Sequence, residues 1–311
     1  MLIKNVKMKE KLIVSFSSGE SSAFMAQWCK NNLSDKYEIK FVMCNTSEEN
    51  EKSLEFADKV DKYFGLNLTW IECVTNSQHG EGVGAKVVSY KTACRNGDVF
   101  EAVIAKQGIP NTHAPICTRE MKNYTVRAYC REIGWNEYAI AVGFRIDESG
   151  RILESHLGNK IKFIYPLISL VPMTKPAINR YWRDMPFRVE LKGYEDNCKV
   201  CFKKSLRKLL TIAKHHPERF DNFLKWEKKY ENYIPESRIL TQKARPPIRF
   251  YRGKLSVMDI LEMSKMPFEE APNERERYVE YKQLAMEFDG EDYILDNGQG
   301  RCSSEACDAF S

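Results

Sequence analysis

Four short apolar runs, Lys11–Phe16, Ile39–Cys44, Leu66–Cys73 and Tyr138–Val142, punctuate the first half of this chain. Between them lie stretches with helical spacing: Ser22–Asn31, which carries Phe24, Met25, Trp28 and Cys29, then Glu51–Phe64, Asp98–Gln107 and Arg119–Ile133. Strands that are apolar throughout must be covered on both faces. The alternation therefore predicts an α/β fold, a doubly wound and mostly parallel sheet with helices on either side. At 311 residues and 43% hydrophobic, the chain can build one sizeable core and a second smaller one. Pro166, Pro172, Pro176 and Pro186 mark a change of character. Beyond Cys198 the sequence reads as helices rich in Lys, Arg, Trp and Tyr. A boundary is expected near residue 170, with a sheet domain over 1–170 and a mainly helical domain over 171–311.

The N-terminus alternates charged and apolar residues and lacks a signal-peptide core. Nor does the sequence hold the roughly 18-residue apolar run that a membrane span needs. The expectation is a soluble, cytoplasmic protein without a membrane partner. Ten scattered cysteines in a reducing compartment point to thiolate chemistry or metal binding rather than a disulfide scaffold. A net charge of +5 suits an anionic ligand without arguing for nucleic acid.

After the first run comes Ser17-Ser18-Gly19-Glu20-Ser21-Ser22 and then a helix. In an open α/β sheet, that position puts backbone N–H groups and the positive end of a helix at the carboxyl end of a strand, where anions bind. Gly19 is expected to take a conformation closed to other residues, and the four hydroxyls to add donors. Such a loop is also ordinary turn chemistry. Arg145 lies just past a strand end and suits a bidentate contact to phosphate or sulfate. Asp147 and Glu148 beside it suit a ribose, a metal ion or Arg145 itself. Tyr90–Arg95 forms another polar cluster, with Lys91 and Arg95 on one side if it is helical.

The loop resembles the Ser-Gly-Gly-x-Asp-Ser signature of adenine-nucleotide PP-loop enzymes, with Ser18 and Ser21 in place of Gly and Asp. Cys44-Asn45-Thr46 with Glu49, Leu54 and Phe56 resembles the second-strand motif of the phosphoadenosine-phosphosulfate (PAPS) reductase-like family. Ile116–Lys122 resembles its Cys-Thr-Arg-x-x-Lys segment, and Gly143–Ser149 with Arg151 its Gly-x-Arg-x-Asp-Glu-Ser loop. The matches fall in family order from residue 12 to about 205. The resemblance implies a Rossmann-like PP-loop domain that binds an adenine nucleotide, either ATP or a sulfonucleotide (PAPS or APS), with Mg2+ offsetting charge in the ATP case. The nucleotide would be held by Ser17–Ser22, Asn45, Thr46, Arg119, Gly143, Arg145, Asp147 and Glu148. Cys117, Lys122 and Cys307 are the candidate catalytic residues. The family's thiol-dependent reductases end in Glu-Cys-Gly-x-His, whereas this chain ends in Glu305-Ala306-Cys307-Asp308-Ala309-Phe310-Ser311.

Cys198-Lys199-Val200-Cys201 is half of a metal site. Cys302 and Cys307 in the tail would complete a structural zinc; Cys117 would instead bring an iron–sulfur cluster to the nucleotide. Cys29, Cys73 and Cys130 fall on apolar positions and are expected in the core. Lys203, Lys204, Arg207, Lys208 and Lys214, with Trp182, Trp226, Tyr230 and Tyr233 nearby, are compatible with a nucleic-acid acceptor. The simpler reading is an amphipathic helix whose Leu206, Leu209, Leu210 and Ala213 face a core. Two functions remain open: an enzyme of sulfur metabolism, by sulfonucleotide reduction or ATP-dependent sulfur transfer, or a nucleotide-binding module that kept the fold without the chemistry.

Overall fold

The computed structural model describes residues 9–76, 81–152, 162–195, 197–236, 238–239 and 245–273. Its centre is a six-stranded sheet in the order β4-β3-β2-β1-β5-β6. The strands are β1 (Glu10–Ser15), β2 (Tyr37–Asn45), β3 (Thr69–Thr75), β4 (Val83–Val88), β5 (Ala139–Ala141) and β6 (Lys162–Ile164). All neighbours run parallel except β3 and β4, so the Gly-rich segment before Val87 turns back as an antiparallel edge rather than extending the parallel set. Val14 sits between Phe41 on β2 and Ala141 on β5.

The apolar runs become strands because both of their faces are buried. Leu12 and Val14 point into one core and Ile13 into the opposite one. The first face is covered by helices α1 (Glu20–Leu33) and α2 (Glu51–Phe64). Leu54, Phe56, Ala57 and Val60 of α2 lie inward, and the helix stops at Gly65 in the left-handed region. Helix α3 (Asp98–Gln107) matches its expected span. The span expected as one helix after Arg119 is two: a π-helix over Cys117–Tyr124, then α4 (Thr125–Glu132). The Thr125 hydroxyl donates to the Glu120 carbonyl five residues back at 2.8 Å, satisfying an acceptor of the widened turn.

The chain just past residue 170 packs with the sheet. After the single turn α5 (Pro166–Ser169), helix α6 (Lys175–Arg183) sends Ile178 and the fully buried Trp182 into the core that holds Leu12 and Val14, and Val189 and Leu191 follow. Trp182 meets Phe56 edge-on at 4.9 Å, a contact worth about 0.5–1.5 kcal/mol beyond area burial. Helices α7 (Leu206–His215), α8 (Asp221–Tyr230) and α9 (Val257–Met263) form a separate core with α3 and the π-helix. There Trp226 stacks on Phe100 with centroids 5.3 Å apart. Cys29, Cys73 and Cys130 are buried as expected. Among the described residues, no helix is long and apolar enough to cross a membrane.

Candidate functional site

Strand order reverses between β1 and β5, and in such sheets the crevice beyond the carboxyl ends at the reversal is where ligands bind. The loops after both strands meet there. The 16–19 loop runs from β1 into the N-terminus of α1, and the loop after β5 carries Gly143 and Arg145. A Cβ on Gly143 would come within 3.3 Å of the Ser22 backbone, so the two loops approach as closely as glycine allows.

The loop differs from its sequence reading at one position. Gly19 is extended (φ −104°, ψ 163°), a conformation open to any residue, and the left-handed residue is Ser18 (φ 60°). Space at Gly19 is tight: a Cβ there would stand 3.3 Å from the Asn197 amide nitrogen, which would have to shift by a few tenths of an ångström. Several of the serine hydroxyls fold the loop itself. Ser22 Oγ accepts from the Ser17 amide at 3.1 Å and the Ser17 hydroxyl at 3.0 Å, and donates to the Gly19 carbonyl at 2.9 Å. Ser18 Oγ donates to the Ser17 carbonyl at 2.6 Å. Glu20, expected at the ligand, is fully buried and forked with Arg188 through two contacts of 2.9 Å, while its carbonyl accepts from the Trp182 indole. This residue anchors α1.

A cleft of about 340 Å³, including its open mouth, lies beside the loop. It is lined by Ser15 to Ser18, Cys44, Glu49, Lys122, Asn197 and Cys198. Lys122, buried on the π-helix, supplies a cation, and its charge pulls down the titration of both the Cys44 thiol and the Glu49 carboxyl. Burial outweighs that pull at each: Cys44 is pushed up to about 12, and Glu49 is raised above the usual carboxylate value. Glu49 is only half-buried by area, but its carboxyl sits deep, accepting from the Thr46 amide at 2.9 Å and the Thr46 hydroxyl at 2.7 Å. Thr46 is thus bound to Glu49. Asn45 donates to Glu72 at 2.6 Å and to the Cys94 carbonyl at 2.8 Å, so both of these expected nucleotide contacts buttress the turn after β2.

Arg145 is fully buried and held by its own neighbours. Its guanidinium meets Asp147 at 3.0 Å and Glu148 at 3.2 Å, and donates to Ser21 Oγ at 3.0 Å. Of the roles open to the acidic pair, holding Arg145 is the one observed. Arg151 closes the cluster on Glu148 at 2.7 Å and lies over the Phe144 ring. Arg119 is two-fifths exposed, pairs with Glu120 at 2.8 Å, and does not line the cleft. Lys91 and Arg95 are not on a helix; Arg95 pairs with Glu51 at 2.7 Å and lies over Tyr90.

Cys198, expected as a metal ligand, lies on the cleft wall. It bridges Glu49 in antiparallel fashion, and the segment is tied to the turn after β2 by the Lys199 amide on the Glu48 carbonyl at 3.0 Å. Cys201 is buried nearby, in a turn whose Val200 carbonyl accepts from Tyr251 at 3.3 Å. Among the described residues, no group of three or more His, Cys, Asp or Glu side chains is arranged to hold a metal, so Cys117 does not join Cys198 and Cys201 in one. Cys302 and Cys307 lie outside the described residues. Two thiols are half a site.

The basic run is largely matched locally. Lys204 is buried. Arg207 pairs with Glu269, and Lys214 and His215 both reach Glu270 at 2.6 Å. Trp182 and Trp226, read as possible base-stacking platforms, are core residues. Sequence reading missed Glu49 and Asn197 as cleft residues; the signal at hand was that Asn197 precedes the C-x-x-C.

No protein-family model matches this chain. The chain is similar to the uncharacterized nin region protein ORF290 of Escherichia phage lambda, 25% identical over 256 residues that cover 81% of this chain and 84% of the phage protein.

Proposed function

We propose that this chain is an adenine-nucleotide-dependent enzyme akin to the PAPS reductase-like proteins, acting in sulfur metabolism. The nucleotide's anionic end occupies the cleft beside the β1–α1 loop. The observation that carries the reading is that the Ser17–Ser18 turn, which leads into α1, and the buried Lys122 line one cleft, with Glu49 beside them, at the carboxyl ends of β1 and β2. A helix N-terminus contributes roughly half a positive charge, and the Lys122 amine is the basic side chain on the cleft wall. The room inside the cleft for a water-sized sphere is only about 20 Å³, so it takes no more than a small part of the phosphate or sulfate end while the nucleoside lies across its mouth. Mg2+ would accompany ATP to offset the remaining charge.

Isothermal titration with ATP, APS and PAPS tests the reading. Lys122→Ala should weaken binding roughly tenfold or more, on the scale of one charge-assisted hydrogen bond. Equal affinity of wild type and a folded Lys122→Ala protein would place the ligand elsewhere. The chemistry is read from pyrophosphate released from ATP, or sulfite released from a sulfonucleotide with added thiol. The neutralisation of Arg145 by Asp147 and Glu148 favours a second reading, a nucleotide-binding module without chemistry. Binding with neither release would select it.

A further inference from the structure

Residues 197–199 form a strap beside the cleft, and its polar groups are directed at the turn after β2 and at the β1–α1 loop. The Asn197 carbonyl accepts from the Asn50 amide at 2.6 Å, at the start of α2, and the Asn197 side-chain oxygen accepts from Ser53 at 3.5 Å. Cys198 bridges Glu49. Lys199 reaches the Glu48 carboxylate at 3.3 Å, which Asn222 also holds at 2.6 Å. In the other direction the Asn197 side-chain amide donates to the Ser17 carbonyl, 180 residues away in the chain. Asn197 is buried, lines the cleft, and occupies the space that a side chain on Gly19 would need.

The Ser17 carbonyl is the acceptor that matters here. A carbonyl oxygen has two lone pairs, and this one receives the Ser18 hydroxyl at 2.6 Å and the Asn197 amide. With both lone pairs occupied, the carbonyl's partial negative charge is compensated, and the turn can meet an anion without an uncovered acceptor facing it. An anion site built from backbone at a strand end depends on such control, because each peptide carries a repelling C=O for every attracting N–H.

We propose that Asn197 is a positioning residue for the bound oxyanion: by holding the Ser17 carbonyl it sets the β1–α1 turn for the phosphate or sulfate end of the nucleotide. The inference rests on the nucleotide reading above and extends the site to a segment close to residue 200.

Cys198, half-buried on the cleft wall beside Asn197, provides a built-in reporter. Its alkylation by iodoacetamide, followed by peptide mass spectrometry, is measured in the full chain against increasing ATP or inorganic pyrophosphate. Wild type should be protected by both. Asn197→Asp keeps the size but turns a donor into a negatively charged acceptor against the Ser17 carbonyl, so half-protection should require at least tenfold more of either probe. Asn197→Ala uncovers the carbonyl without adding charge and should require roughly threefold more. In both variants without ligand, Cys198 should label within twofold of the wild-type rate, which reports that the strap stays in place. Protection of Asn197→Asp at wild-type concentrations would overturn the proposal. So would ligand-free labelling that rises together in both variants with equal loss of protection, since that pattern marks a purely structural strap. If neither probe protects wild type, the nucleotide reading itself fails and the positioning role falls with it.

Discussion

Removing the Arg145 side chain should destabilise the fold, because its charge is placed among protein groups rather than at the solvent. The guanidinium is 0% exposed and bonded to Asp147, Glu148 and Ser21, joining the loop after β5 to the first turn of α1. Deleting one member of a buried ion pair costs about 3–5 kcal/mol, chiefly by leaving the partner charge uncompensated. Two observations place Arg145→Ala at the lower end: Asp147 is 34% exposed and can be rehydrated, and Glu148 keeps Arg151 at 2.7 Å. About 3 kcal/mol corresponds to a fall of roughly 5 °C in melting temperature for a chain of 311 residues. Arg145→Lys retains a charge but loses the fork that spans Asp147 and Glu148, and should fall about half as far. Thermal and urea melts followed by circular dichroism at pH 7 measure both. The cycle with Ser21→Ala should return a coupling of about 1 kcal/mol or more for the hydrogen bond between the loops. An Arg145→Ala protein that melts within a degree of wild type would refute the clamp.

Gly97 is held at φ 90°, and a Cβ there would sit 2.7 Å from both Asn222 and Trp226 and 2.8 Å from Glu48. Gly97→Ala should therefore cost about 2–4 kcal/mol from left-handed strain and overpacking together, read as a lower urea midpoint; an unchanged midpoint would show that these neighbours yield freely. Glu49 titrates above its ordinary value of 4.5 because burial disfavours its ionised form. A folded-state value raised in this way contributes stability that is full below the unfolded value and is lost as the pH rises through the folded one. The stability difference between wild type and Glu49→Gln should accordingly shrink from pH 4.5 upward until the raised value is passed; a difference that is flat or grows across that window contradicts the assignment.

Local spacing made much of the architecture legible. The apolar runs at β1, β2, β3 and β5, the full extent of α2 and α3, and the position of the Ser17–Ser22 loop between strand and helix follow from periodicities of two and 3.6 residues, which a window of a dozen positions contains. The antiparallel turn of β4 was not legible, because a short Val-rich segment pairs in either direction until its neighbour is in place. The division of the Cys117–Glu132 span into π- and α-helix was hidden too, since it depends on one extra residue per turn.

The sequence by itself determined that this chain is an α/β protein with a polar loop at the end of its first strand, and it offered Lys122 as a candidate catalytic residue. Only the tertiary structure decided what each polar group faces. Arg145 and Ser21 are 124 residues apart in the chain, and Glu20 meets Arg188 across 168. Arg207, Lys214 and His215 find their acids on Glu269 and Glu270, 55 to 62 residues further along the chain. A side chain's type fixes the bonds it can make. For Arg145 and Glu20 the choice is settled by desolvation, which favours pairing a buried charge with a partner that the packed elements bring to it.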